Sequence, residues 1–255
     1  MAIERSLELA FFERSADKKL YYEIDGSGDP ILLIHGFMGT GSSEFPELRA
    51  ALAKKYQVIA PDLSGYGQST PKPRLYGVDF YRNDAEDLVA LLEYLNLTRV
   101  HVVGYSDGGE IGFWLPILAP DRIRSLVTWG AVGYFDKSIR ESILSMLNMR
   151  WRTPKTDEMH GAEHIKEMTN RWVASMLGMI DRGGDVTLSR AAQITCPALV
   201  ILGDRDRLNP APNGQAIAKA IPKGRFSLYK DTGHSVHLQQ PRKFLQEVEQ
   251  FLKKT

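Results

Sequence analysis

The chain has 255 residues, 43% of them hydrophobic and 25% charged, which is enough for one substantial core and too few for two ordinary large domains. Its 32 basic and 31 acidic residues give a formal net charge of +1 and are scattered without long runs, so neither nucleic acid nor an anionic membrane surface is an expected partner. A single cysteine, Cys196, excludes an internal disulfide and fits a reducing, cytoplasmic setting, while charges at Glu4, Arg5 and Glu8 break any secretory core and no long apolar run predicts a membrane span.

Strand-like runs at residues 7–13 and 20–24, with a polar stretch between them, predict a hairpin. Residues 31–34 are continuously apolar, as in strands covered on both faces of a parallel sheet, and end at His35-Gly36-Phe37. A helix is expected over residues 43–54, a buried strand over 57–60, and a glycine-rich loop after it. Residues 79–95 alternate apolar and charged positions at helical spacing. Residues 100–103 form another buried strand, followed by helical-looking residues 110–115, whose continuation Pro116 is expected to kink, and by a strand over 123–129. Strand and helix alternate, which predicts an α/β fold with a mainly parallel sheet.

The alternation stops from about residue 133 to 190, where helical patches at 138–149 and 162–179 are broken at Thr153-Pro154 and Gly183-Gly184. We read a helical cap, residues 133–190, inserted in a core of residues 1–132 and 191–255 that makes one structural domain. Met146, Met149, Met159, Met168, Met176 and Met179 lie in it with Trp151 and Trp172. They serve either as packing or, because methionine is flexible and polarisable, as an adaptable wall over a pocket. Strands over residues 198–202 and 225–229 and helices over 212–220 and 241–253 complete the chain. Cys196, beside Pro197 and an apolar run, reads as a buried structural thiol.

Gly104-Tyr105-Ser106-Asp107-Gly108 stands between the strand over 100–103 and the helix after it, the context that makes G-x-S-x-G a nucleophile elbow. A serine hydroxyl is a poor nucleophile at neutral pH and needs a base, oriented by a third group. Asp206 follows the strand over 198–202 and His234 the last strand, so loops at the carboxyl ends of parallel strands can bring both to Ser106. On chemistry alone, Asp204 and His237 remain alternatives. His101, His160 and His164 read as packed or solvated, and no cluster has metal-ligand spacing. The backbone N–H groups of Asp107 and Phe37 are the candidate oxyanion donors, each typically worth roughly 10²–10³ in rate.

Asp107 admits two readings. A carboxylate in a helix's first turn is favoured by the helix dipole and needs no other role. Yet a carboxylate beside an oxyanion hole opposes the charge that develops there, unless the substrate brings a cation such as an α-ammonium to meet it.

The chain resembles the α/β-hydrolase superfamily and, within it, the biphenyl hydrolase-like proteins. The similar stretches are Gly36-Phe37-Met38-Gly39-Thr40-Gly41, Asp79-Phe80-Tyr81-Arg82-Asn83-Asp84-Ala85, Gly104 to Gly109, Thr128-Trp129-Gly130-Ala131 and Cys196-Pro197-Ala198-Leu199. The Gly203-x-x-Asp206-x-x-x-Pro210 and Gly233-His234 spacings resemble that superfamily's acid and histidine loops and favour Asp206 and His234. The resemblance implies an α/β-hydrolase fold, with a mostly parallel eight-stranded sheet flanked by helices. It also implies hydrolysis of α-amino-acid esters without a cofactor, with the substrate's ammonium on Asp107 and Trp129 in the substrate site. His35 departs from the family's usual proline. The expected partner is a small ester and the expected state a monomer. The rivals are a general carboxylesterase or lactonase, an aminopeptidase with a carboxylate in its cap, and a non-catalytic small-molecule receptor.

Overall fold

The structure, a computed structural model, describes residues 10–255; the part of the first predicted strand at residues 7–9 lies outside it. Strands β1 (Ala10–Glu13), β2 (Lys19–Gly26), β3 (Asp29–Ile34), β4 (Tyr56–Pro61), β5 (Val100–Tyr105), β6 (Ile123–Trp129), β7 (Ala198–Gly203) and β8 (Gly224–Tyr229) form one sheet in the order β1-β2-β4-β3-β5-β6-β7-β8. β1 and β2 make the expected hairpin, β2 lies antiparallel to β4, and every pairing from β4 to β8 is parallel.

The unbroken apolar runs arise because both faces of the central strands are covered. Leu32, Ile34, Val100 and Val102 point into one core, beneath α2 (Phe80–Tyr94) and α3 (Asp107–Leu118). Ile31, Leu33, Val103 and Tyr105 point into the other, beneath α1 (Pro46–Leu52) and α9 (Pro241–Lys253). α9 buries Phe244, Val248, Phe251 and Leu252, the stripe its spacing predicted.

Two helices differ from expectation for local reasons. The helix expected from residue 43 begins at Pro46, because Thr40 and Ser43 bond to each other's hydroxyl and backbone groups instead of entering a helix. Thr153-Pro154, read as a break, opens α5 (Pro154–His160): the Thr153 hydroxyl accepts the Thr156 N–H at 3.2 Å, and proline is favoured in a first turn. Between β6 and β7 lie α4 (Arg140–Ser145), α5 and α6 (Ala162–Asp181), while α7 (Ala211–Ala220) follows β7 and α8 (Val236–Gln239) precedes α9. α6 buries Ile165, Met168, Trp172, Val173, Met176, Met179 and Ile180 on one side. Among the described residues no helix is long and apolar enough to cross a membrane, and no acidic, His or Cys cluster has a metal site's arrangement. Cys196 is buried, which pushes its thiol up to about 11.

Candidate active site

β5 ends at Tyr105, α3 begins at Asp107, and Ser106 between them has φ 53° and ψ −121°. This left-handed backbone is strained for any residue but glycine, and it lifts the serine out of both elements. The Ser106 N–H donates to the Trp129 carbonyl at 2.9 Å, which fixes the turn to β6. Glycine is required on either side because the helix enters so close to the sheet. A Cβ on Gly104 would meet the Gly108 carbonyl, and one on Gly108 the carbonyls of Ile34 and His35.

The loops after β7 and β8 bring the predicted partners to this turn. His234 Nε2 lies 2.9 Å from Ser106 Oγ, and His234 Nδ1 lies 2.8 Å from Asp206 Oδ2. The other Asp206 oxygen, Oδ1, accepts the backbone N–H groups of Leu208 and Asn209 at 2.9 and 3.1 Å. An acceptor so placed holds the proton on Nδ1 and leaves Nε2 free to receive one from the serine. Asn209 Nδ2 lies 3.3 Å from His234 Nδ1. The alternatives are occupied elsewhere. Asp204 accepts the Thr232 N–H at 3.1 Å, and His237 is buried among Phe45, Tyr105, Trp129 and Phe244.

The loop after β3 crosses directly over Ser106, since a Cβ on Gly36 would lie 3.1 Å from Ser106 Cβ. His35, the departure from the family's proline, anchors that loop. Its Nδ1–H donates to the Gly36 carbonyl at 2.8 Å and its Nε2 accepts the Leu63 N–H at 2.9 Å. Complete burial lowers its pKa to about 3, so it stays neutral and bridges the loops after β3 and β4. Phe37 follows, its ring 4.8 Å from that of Trp172 and 5.2 Å from that of Trp151. The Asp107 N–H opens α3 and therefore has no acceptor within the helix.

Beside Ser106 is a narrow pocket lined by Tyr81, Asp107, Glu110, Gly130, Phe135, Ile143, Trp172, Met176, Leu208 and Asn209. The Asp107 carboxylate is buried in its wall. Oδ1 accepts the Tyr81 hydroxyl at 2.8 Å and Oδ2 the Trp172 indole N–H at 2.9 Å. Burial raises its pKa to about 6, against the Tyr81 and Trp172 hydrogen bonds and the charge of Arg74, which lower it. Arg74 itself is engaged by Asp84 and lies over the Tyr66 and Tyr76 rings, and among the described residues no basic side chain pairs with Asp107.

Trp129, expected in the substrate site, does not line this pocket. Its side chain is fully buried on the opposite face of the sheet, stacked 5.4 Å from Tyr105 with its indole N–H on His237 Nδ1 at 3.0 Å. The next residue, Gly130, faces the pocket, and a Cβ there would lie 2.8 Å from His234 Cε1. The sequence reading missed Tyr81, Glu110, Leu208 and Asn209 as pocket residues. Met176 and Trp172 carry out the wall reading of the methionine-rich segment, whereas Met168 and Met179 pack.

The α/β-hydrolase family model matches residues 29–142. The chain belongs to the α/β-hydrolase family and is a serine hydrolase. Human serine hydrolase BPHL is 31% identical over 241 residues, which span 92% of this chain and 83% of that protein, and mouse serine hydrolase BPHL is 30% identical with 91% and 82% covered. A thermophilic esterase from Thermogutta terrifontis matches with a TM-score of 0.71 and 26% identity, covering 96% of this chain and 97% of that one. An Exiguobacterium antarcticum esterase at 20% identity, TM-score 0.78 and 96% and 99% coverage shares the fold.

Proposed function

We propose that this serine hydrolase cleaves α-amino-acid esters through an acyl-enzyme on Ser106, with the substrate's ammonium held by Asp107. His234 Nε2 takes the Ser106 proton as Oγ attacks the ester carbonyl. Asp206 fixes the imidazole's tautomer and stabilises the imidazolium that forms. The Phe37 and Asp107 N–H groups hold the oxyanion, and His234 returns the proton to the departing alcohol. Water then repeats the sequence on the acyl-enzyme and frees Ser106. No step calls for a cofactor.

One observation carries the choice of substrate: a buried carboxylate in the pocket wall beside Ser106 has two neutral donors and, among the described residues, no cation paired with it. Tyr81, the more distant charge of Arg74 and Trp172 favour its ionised form near neutral pH, and the missing paired cation is the one an α-ammonium supplies. A cation there also offsets the repulsion between Asp107 and the oxyanion. The segment 133–190 lines the pocket with Phe135, Ile143, Trp172 and Met176, none acidic, which counts against the aminopeptidase reading. A general esterase is the rival, because the same two donors satisfy Asp107 without any substrate.

A matched pair of esters tests the assignment, one aminoacyl and one with hydrogen in place of the amino group. Asp107→Ala is expected to lower kcat/KM roughly 10- to 150-fold on the aminoacyl ester, the value of a lost charge-assisted hydrogen bond, and far less on its partner. Equal losses on both would make Asp107 structural and leave a general esterase.

A further inference from the structure

The chemistry above leaves one pocket carboxylate without a task. Glu110 lies one turn after Asp107 on the same side of α3, is 1% exposed, and forms no ion pair among the described residues. Its Oε1 accepts the Val132 N–H at 2.7 Å and the Gly133 N–H at 3.2 Å, and its Oε2 accepts the Gly133 N–H at 3.0 Å. A carboxyl group so buried needs a reason to be there, since its desolvation is offset only by these two donors.

Those donors stand where the chain leaves β6 and enters the helical segment 133–190. The carbonyl of the same Gly133 accepts three N–H groups of the returning chain, from Val186 at 3.1 Å, Thr187 at 2.9 Å and Leu188 at 3.1 Å. Phe135 N–H donates to the Gly184 carbonyl at 2.8 Å, and Tyr134 bridges Asp185. The outgoing and returning connections are thus tied together at one residue. The crossing chain lies hard against α3, where a Cβ on Gly109 would come within 2.6 Å of Ala131 Cβ.

We propose that Glu110 is a positioning and specificity-determining residue. It pins the Gly133 joint to the helix that carries Ser106 and Asp107, and so sets the distance from the nucleophile to the wall of Phe135, Ile143, Trp172 and Met176. It acts through the Val132 and Gly133 backbone and touches no reacting atom. Acyl groups large enough to reach that wall depend on the pin; an acetyl group does not. The inference rests on the esterase reading for its kinetic arm only.

The test compares Glu110→Leu, which keeps bulk and removes the acceptor, with Glu110→Gln, which keeps an acceptor oxygen. Kinetics on an aryl acetate and on a valine ester, normalised to active sites titrated with a fluorophosphonate, are read beside the rate of protease nicking within residues 133–190. Glu110→Leu is expected to raise KM on the valine ester at least about fivefold more than on the acetate, and to speed nicking about tenfold, as two buried N–H groups lose their acceptor. Glu110→Gln is expected to rescue all three readings. If leucine prevents folding, Glu110→Asp, shorter by one methylene, is expected to show the same split, smaller but above about threefold. Equal losses on both esters, unchanged nicking, or a glutamine variant that behaves like leucine would overturn the proposal. If the wild type hydrolyses neither ester, the esterase reading fails and the nicking rates alone decide whether the pin exists.

Discussion

Asp107 is held by two residues from distant parts of the chain, and that arrangement makes its charge sensitive to single substitutions. Trp172→Phe keeps a ring against Phe37 and removes the donor to Oδ2, so the pKa of Asp107, already raised to about 6, should rise further. Steady-state kinetics on aminoacyl esters near pH 6.5 should show kcat/KM reduced roughly tenfold, with the des-amino partner little changed. In the wild type the preference for the aminoacyl ester should fall as pH drops through about 6, because Asp107 takes up a proton while the ammonium keeps its own. A ratio of the two esters' kcat/KM that stays flat across that range would contradict this account. That Ser106, Asp206 and His234 could meet is legible in the sequence, because each stands in a loop after a strand and the loops resemble those of the superfamily. Tyr81, and Trp172 as a donor to Asp107, were not, since aromatic residues at helical spacing read as core or wall until their polar tips find a partner.

The elbow depends on close approach between elements, so its weakest substitutions should be the smallest. Gly108→Ala would set a Cβ against the carbonyls of Ile34 and His35, forcing α3 away from β3. A loss of about 1–3 kcal/mol is expected in chemical denaturation, with slower fluorophosphonate labelling as the turn shifts. Thr153→Ala removes the hydroxyl that caps α5 and should cost about 1 kcal/mol without altering chemistry at Ser106. The central strands β3 to β7 are legible to within about two residues because burial on both faces leaves them as apolar runs. α5 was missed because a Thr-Pro pair reads equally as a stop or a start. Which one it is depends on whether Thr156 lies in reach of the Thr153 hydroxyl.

Across the molecule, buried titratable groups set opposing pH dependences. Burial raises Glu44 to about 7, Asp107 to about 6 and Glu110 to about 8, so the folded chain holds those protons more tightly than the unfolded one. Stability therefore falls as pH rises through these values. His35, His101 and His237, lowered to about 3, 4 and 4, act oppositely and lose stability as pH falls below 6.5. Between about pH 6.5 and 8 mainly Glu44 and Glu110 remain in play. The thermal midpoint should decline over that interval, and Glu110→Gln should flatten the decline. The α/β order, the hairpin and the run of parallel strands were legible because periodicity and turn residues are local. The Gly133 joint and the anchoring of the His35 loop were not, because they are contacts between segments that no local pattern links. The proposed hydrolysis requires Ser106 to be the activated nucleophile. Its most direct test is intact and peptide mass spectrometry after brief fluorophosphonate treatment of the folded protein. One adduct on Ser106, lost in Ser106→Ala and slowed at least about 10³-fold in His234→Ala, is predicted. No adduct, or an adduct on another residue, would contradict it.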